Sequence, residues 1–435
     1  MNNAKEVDFV SGETVVSGRI FDGKGVKRGR IVADAASGLI KDVQYMEESN
    51  GSSDYEYSGD YVICAGDVNG HSHPEQSIYT DIADKSWDLS TWCRNTIYKY
   101  SPYLKAEHIY YACCRAFSRM LAYGVTTVFV SFYCHNNKGN EHDKAVIKAA
   151  CDMGIRLYFG RMNYDIITPD AYEAKKKSQH CYFEAVEEAE RNFIELLEST
   201  QSENVVVAPA IHSIHASTGA AIENALKLGS KYDRYVQFHL SEDSGDVDLS
   251  MKWYGLRPVE YLAGLVEKGI VSSLDNLLLS DCIWIDENEL DLIKQYNIRV
   301  VLNPRMNRQI KAGEAKLLSF VGKGIPLYLG TDGEASNDDL SITGELEYLR
   351  KRYPDLAGEI SAYFTVLPLK FGAGKVGKIE KGCYCDLKVM NDNRPKDVFV
   401  GGKRVIESGR LSGKDMESDI ERPLKAIVKE LTARE

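Results

Sequence analysis

No stretch of this 435-residue chain approaches the roughly 20 consecutive apolar residues that a membrane span requires. Basic side chains are in deficit, 53 against 64 acidic, and the net charge of −11 disfavours general affinity for nucleic acid or anionic membrane. The opening MNNAKEVDFV has no basic start followed by an apolar run, so no secretory leader is expected. Cysteine is not scarce, but its ten copies are scattered. The close pairs Cys113/Cys114 and Cys383/Cys385 lack the two-pair spacing of a zinc ribbon. Internal repeats and low-complexity linkers are missing, as is a glycine fingerprint behind an early strand. These absences lead us to expect a reduced, cytoplasmic protein that acts on a small molecule, with no nucleic-acid or membrane partner. Homo-oligomerisation is left open.

What remains is an ordinary globular composition, 44% hydrophobic and 27% charged, on a chain long enough for one large domain and a smaller one. After residue 60, short β-branched runs alternate with long amphipathic segments. Candidate strands are Tyr61–Asn69, Thr126–Ser131, Arg156–Gly160, Val205–Pro209, Tyr235–Leu240, Asn276–Asp281, Arg299–Asn303 and Pro326–Thr331. Runs such as VVVAP and VQFHL are nearly all apolar, as parallel strands covered on both faces must be. Between them, Phe183–Ser199 sets Phe183, Val186, Ala189, Phe193 and Leu196 at helical spacing, and Pro258–Lys268 and Asp286–Tyr296 read the same way. This alternation predicts an α/β fold, a (β/α)8 TIM barrel over residues 61–365. Both ends carry short alternating runs, and the Gly-Gly of VFVGGKRVIE suggests a hairpin turn. We therefore expect residues 1–60 and 366–435 to combine into a small β-sandwich domain.

Barrel active sites gather at the C-terminal ends of the strands. Strand one ends in Gly70-His71-Ser72-His73, and in extended chain His71 and His73 point to one side, so both can ligate one ion. Strand five ends in His239-Leu240-Ser241-Glu242, offering a third imidazole and a carboxylate placed to shuttle a proton. Strand eight ends in Thr331-Asp332-Gly333, where an aspartate can bind the ion and accept a hydrogen bond from its water. Each motif alone has a plain structural reading: a solvated loop pair, a surface glutamate, a capping aspartate. Their coincidence at three strand ends favours a site. His135 follows strand two and can face the pocket or stand as a polar loop residue; Arg305 ends strand seven and can meet the substrate or make a structural ion pair. His215 reads as a loop neighbour, and His108, His142 and His180 as solvated.

The segments GDVNGHSHPEQS, DLSTWCRNTIYKYSPYLKAEHIYYACCRAFSRMLAYGVTTV, VQFHLSED, NPRMNRQIKAG, LGTDGEASNDDLS and GKIEKGCYCDL together resemble the amidohydrolase superfamily. They are similar to its metal-dependent aminohydrolase branch, which includes S-adenosylhomocysteine deaminase, aminodeoxyfutalosine deaminase and the chlorotriazine hydrolases. The resemblance implies that His71, His73, His239 and Asp332 hold one divalent metal ion, with Glu242 as proton shuttle. It implies a substrate contact for His212 and places Trp87 and Trp92 in the segment that covers the substrate. One position departs. Where the family carries a histidine after strand six, this chain reads Leu279-Ser280-Asp281-Cys282, so Asp281 takes its place among the catalytic candidates. A carboxylate accepts where an imidazole can donate.

Zinc best suits three imidazoles and a carboxylate with an open position, and ferrous iron also fits. No lysine ends strand four to bridge a second ion. The expected enzyme is a hydrolase of non-peptide carbon–nitrogen bonds, a cyclic-amidine deaminase releasing ammonia from an aminated heterocycle or amidine by attack of metal-activated water. The alternatives are a C–N or C–Cl hydrolase of another small molecule, and a metal-binding barrel without turnover.

Overall fold

The computed structural model describes residues 12–45, 52–364, 368–392 and 394–433. The expected domain boundary at 365/366 and the N-terminal residues 1–11 lie outside them. The chain separates into two compact units, one of residues up to 67 with 121–126 and 368–414, the other of 68–120, 127–367 and 415 onward.

In the larger unit, eight strands run in chain order around one sheet: β1 (Asp67–Ser72), β2 (Val125–Phe132), β3 (Arg156–Asn163), β4 (Val205–Ile211), β5 (Val236–Leu240), β6 (Leu277–Asp281), β7 (Arg299–Leu302) and β8 (Leu327–Leu329). Pairs from β2 to β8 are parallel. Strands β2 to β6 are buried along their whole length, because helices cover one face and side chains fill the other. The two ends of the sheet meet through hydrogen bonds. The amides of Thr331 and Asp332 donate to the His71 carbonyl at 3.1 and 3.0 Å. Asn69, fully buried, donates from Nδ2 to Thr331 Oγ1 at 2.7 Å and accepts the Thr331 amide on Oδ1 at 3.1 Å. This is the (β/α)8 barrel that the alternation of strands and helices led us to expect.

Local sequence explains where the elements stop. The expected first strand divides at Gly66 into Val62–Ala65 and β1. A Cβ on Gly66 would lie 2.2 Å from Thr126 Oγ1, so only glycine lets the chain pass there. The helix expected from Phe183 begins at Val186 and buries Ala189, Phe193 and Leu196; Phe183 instead caps the preceding helix and is exposed. The helix Glu287–Gln295 opens on a capping box, in which Asp286 accepts the Glu289 amide and Glu289 accepts that of Asp286.

The smaller unit joins both ends of the chain in one nine-stranded sheet. Val62–Ala65, from the N-terminal part, pairs antiparallel with Leu387–Asn391. Val16, Ile20, Ile31, Ile63, Leu387, Val389 and Phe399 fill its core. Gly401 and Gly402 both have positive φ, turning Arg394–Val400 back onto Lys403–Glu407 as a hairpin. The stretch from 415 onward, expected in this domain, packs with the barrel unit instead. Glu421, at the start of its helix Arg422–Thr432, pairs with Arg119 at 2.9 Å and Arg115 at 3.4 Å. Among the described residues, no helix is long and apolar enough to cross a membrane.

Because Asn69 satisfies polar groups at the junction of β1 and β8, Asn69→Ala is expected to lower unfolding stability by about 1–3 kcal/mol. The urea midpoint by circular dichroism reads the loss.

Candidate metal centre

Strand β1 delivers His71 and, one residue past its end, His73; β5 delivers His239; the loop after β8 delivers Asp332. The three imidazoles meet through the same atom. His73 Nε2 lies 3.1 Å and His71 Nε2 3.2 Å from His239 Nε2. Asp332 Oδ1 lies 3.3 Å from His73 Nε2 and 3.7 Å from His71 Nε2, yet it has no hydrogen-bond partner. All four side chains are buried. The loop that carries Asp332 comes close to β1 because position 330 is glycine: a Cβ there would lie 2.3 Å from Asn303 Oδ1 and 2.8 Å from His71 Cβ.

Neighbouring groups set which ring nitrogen bears the proton. Gln237 donates from Nε2 to the Val130 carbonyl at 2.9 Å, which turns its Oε1 toward Ser131. Ser131 spends its hydroxyl proton on that oxygen at 2.9 Å, so its own oxygen accepts from His71 Nδ1 at 3.3 Å. His239 Nδ1 donates to the His212 carbonyl at 2.9 Å. In both rings Nδ1 holds the proton and Nε2 presents a lone pair to the centre. Glu75 Oε1 lies 3.9 Å from His73 Nδ1, which has no hydrogen-bond partner. Ser131, Gln237 and Glu75 carry no motif. The only sequence-level sign of them is polar residues inside otherwise apolar barrel strands or directly after a His-x-His.

Electrostatics agree with the geometry. Burial lowers His73 to about 4 and His239 to about 4, and holds His71 and His212 well below the usual imidazole value, so all four are neutral near pH 7. Burial pushes Asp332 up to about 7, against the Gly333 amide and Ser336. Converging lone pairs beside a buried, unpartnered carboxylate oxygen are the donor set that a cation takes. His71, His73 and His239 could hold a metal ion together, and Asp332 Oδ1 adds an anionic oxygen to the same point.

Two more carboxylates stand near. Glu242, half-buried just past β5, is pushed well above the carboxylate range by burial, then by Asp281 and Asp332. Asp281 ends β6 and is 1% exposed. Burial raises it; His239 and the amides of Asn303 and Asn307 oppose that, and Asp332 adds to it. His212 packs its ring 5.3 Å from that of His239, between Tyr133 and Tyr164.

Other candidates stand elsewhere. His135, a candidate to face the pocket, has both its nitrogens occupied, by Asp143 Oδ2 at 3.0 Å and the Met162 carbonyl at 3.0 Å. It belongs to a buried set in which Arg161 binds Glu184 at 2.5 and 2.8 Å and Asp143 at 3.2 Å. Of the two roles open to it, Arg305 takes the structural ion pair, giving its guanidinium to Glu345 Oε1 at 2.8 Å and Asp339 Oδ1 at 2.6 Å. Trp92 is buried and donates its indole N–H to the Ala335 carbonyl at 3.2 Å, bracing the loop behind Asp332. His108 and His142, expected in solvent, are buried, and His142 Nδ1 meets the Cys134 carbonyl at 2.8 Å.

Residues 62–405 match the profile of the amidohydrolase family. Among curated proteins, the chain is 25% identical to the 5-methylthioadenosine/S-adenosylhomocysteine deaminase of Thermococcus kodakarensis, over 77% of this chain and 75% of that one. It is 24% identical to the 5'-deoxyadenosine deaminase of Methanopyrus kandleri, over 92% and 96%. Among solved structures, an adenosine deaminase from Xanthomonas campestris with bound zinc superposes with a TM-score of 0.79 at 20% identity, covering 97% and 98% of the two chains. The zinc complex of atrazine chlorohydrolase from Arthrobacter aurescens gives 0.79 at 18% identity, covering 96% and 99%.

The hydrogen-bond chain behind His71 generates a test. Ser131→Ala removes the acceptor of its Nδ1 proton and is expected to weaken zinc binding by roughly 10–100-fold, the usual worth of such a partner. Competition against a chromophoric chelator measures it, and an unchanged affinity would detach Ser131 from the centre.

Proposed function

The chain belongs to the amidohydrolase family, and from that premise we propose that it is a metal-dependent deaminase that releases ammonia from an aminated heterocycle or amidine. The observation that carries this reading is the meeting of three neutral imidazole nitrogens with an unpartnered carboxylate oxygen at the C-terminal end of the barrel. The relatives' activities, deamination of methylthioadenosine, S-adenosylhomocysteine and deoxyadenosine, support the aminohydrolase class. In this reading His71, His73, His239 and Asp332 hold one divalent ion, and zinc suits a set of three imidazoles and one carboxylate. Such an ion, when bound, lowers the pKa of a coordinated water toward neutrality and so supplies the nucleophile.

The chain's own groups then move protons. Asp332 takes the proton that the attacking water gives up. Glu242, whose hold on its proton is strengthened by burial and by Asp281 and Asp332, delivers that proton to the ring nitrogen of the amidine. Water oxygen bonds to the amidine carbon, the exocyclic C–N bond breaks, and the nitrogen leaves as ammonia with a proton from the site. His212, beside His239 and between two tyrosines, is placed to contact the heterocycle. We assign no substrate contact to Trp92, His135 or Arg305.

Glu242→Gln is expected to retain the metal and the fold and to slow ammonia release by roughly 10²–10⁴-fold, the worth of a positioned acid–base group. Wild-type turnover in that variant would remove Glu242 from the mechanism.

A further inference from the structure

Asp281 sits where the chain goes to some expense to keep it. Its φ is +75°, and that of Cys282 is +48°, so two consecutive non-glycine residues are left-handed at the end of β6. Such residues persist only where their surroundings hold them. The next three amides do so: Cys282 N–H donates to the Leu240 carbonyl, and Ile283 and Trp284 N–H both donate to that of Ser241, each at 3.0 Å. The β6 turn is thereby tied to the end of β5, two residues from His239. Leu240 is the cross-strand partner of Asp281, as His239 is of Ser280.

The carboxylate itself is oriented by one oxygen. Asn303 Nδ2 donates to Oδ1 at 2.9 Å and Asn307 Nδ2 donates to the same Oδ1 at 3.1 Å. Among the described residues, no hydrogen bond falls on Oδ2 and no lysine or arginine pairs with Asp281, Glu242 or Asp332. The charge of Lys175 bears on His212 and Cys93 instead. Asp281 thus offers a fixed acceptor beside the centre, with the rest of its capacity uncommitted.

We propose that Asp281 is a specificity-determining residue that selects amidines presenting N–H donors, a cationic amidinium above all, and turns away reacting groups such as C–Cl that present none. The assignment rests on the deaminase reading for the place of the site, and it names the substrate class. An imidazole at this position can donate to a leaving group or a ring nitrogen. A carboxylate pinned by Oδ1 accepts through Oδ2, and it stands beside two further carboxyl groups, Asp332 and Glu242.

The test exploits the two asparagines. In Asp281→Asn they keep the remaining oxygen at the Oδ1 position, so the new amide nitrogen takes the Oδ2 position as a donor of the same size. Binding of 2-aminoimidazolinium, 4-aminopyrimidine and 4-chloropyrimidine to the zinc-loaded proteins is measured by calorimetry, with metal content and melting temperature as controls. Wild type should prefer the cation. Asp281→Asn should weaken cation binding by about ten-fold to a hundred-fold, the range for a hydrogen bond to a charged group, and should not weaken that of 4-chloropyrimidine. Asp281→Ala should lose the preference as well, and it decides the matter if the asparagine variant fails to fold. No cation preference in wild type, or an equal preference in the variants, overturns the assignment. Ammonia release is read separately. Cation preference without ammonia from any aminated probe removes the deaminase reading and leaves Asp281 as a selector; ammonia release without the preference does the reverse.

Discussion

Three neutral imidazoles, with the Nε2 atoms of His73 and His71 held 3.1 and 3.2 Å from that of His239, repel through their lone pairs unless something positive lies between them. Much of the barrel's polar interior serves to maintain that arrangement. Gln237, Ser131 and the His212 carbonyl hold protons on the outer nitrogens of His71 and His239. The hydrogen bonds from Thr331 and Asp332 to the His71 carbonyl bring the last strand's loop against the first strand, and Asp332 with it. Barrel closure and the candidate metal centre therefore share the same backbone atoms, and a change at Asn69 bears on both.

The strand ends show a common device. Ser241, Asp281 and Asp332 all have left-handed backbones although none is glycine. Each stands at the C-terminal end of a strand, where the chain must turn sharply to present a side chain to the centre and still begin the next segment. The conformational cost is met by packing and by the amide bonds that tie neighbouring loops together.

Much of this architecture is legible in the sequence, for physical reasons. Parallel strands covered on both faces must be apolar throughout, so VVVAP and VQFHL announce themselves, and the period-two geometry of a strand makes His71-x-His73 readable as one-sided. Which of their possible roles Arg305 and His135 take is not legible, because residue type and strand position do not reveal that Glu345, Asp339, Asp143 and Met162 arrive from other segments to occupy them. Ser131 and Gln237 escaped for the converse reason: a polar residue in a buried strand has no visible purpose until its partner, 106 positions away, is seen beside it. The split of the first strand at Gly66 is a steric fact about Thr126, invisible in the local pattern. That the stretch from 415 onward groups with the barrel unit is likewise invisible locally, because Arg115 and Arg119, the partners of Glu421, lie far away in the chain.

The central claim is that one divalent ion belongs among His71, His73, His239 and Asp332. The most direct test is a crystal structure of zinc-loaded protein with anomalous data on both sides of the zinc edge. The account predicts one full-occupancy peak with about 2.0–2.1 Å to the three Nε2 atoms and about 2.0–2.2 Å to Asp332 Oδ1. Zinc found only on surface carboxylates or thiols, with the three imidazoles left as they stand, would contradict it.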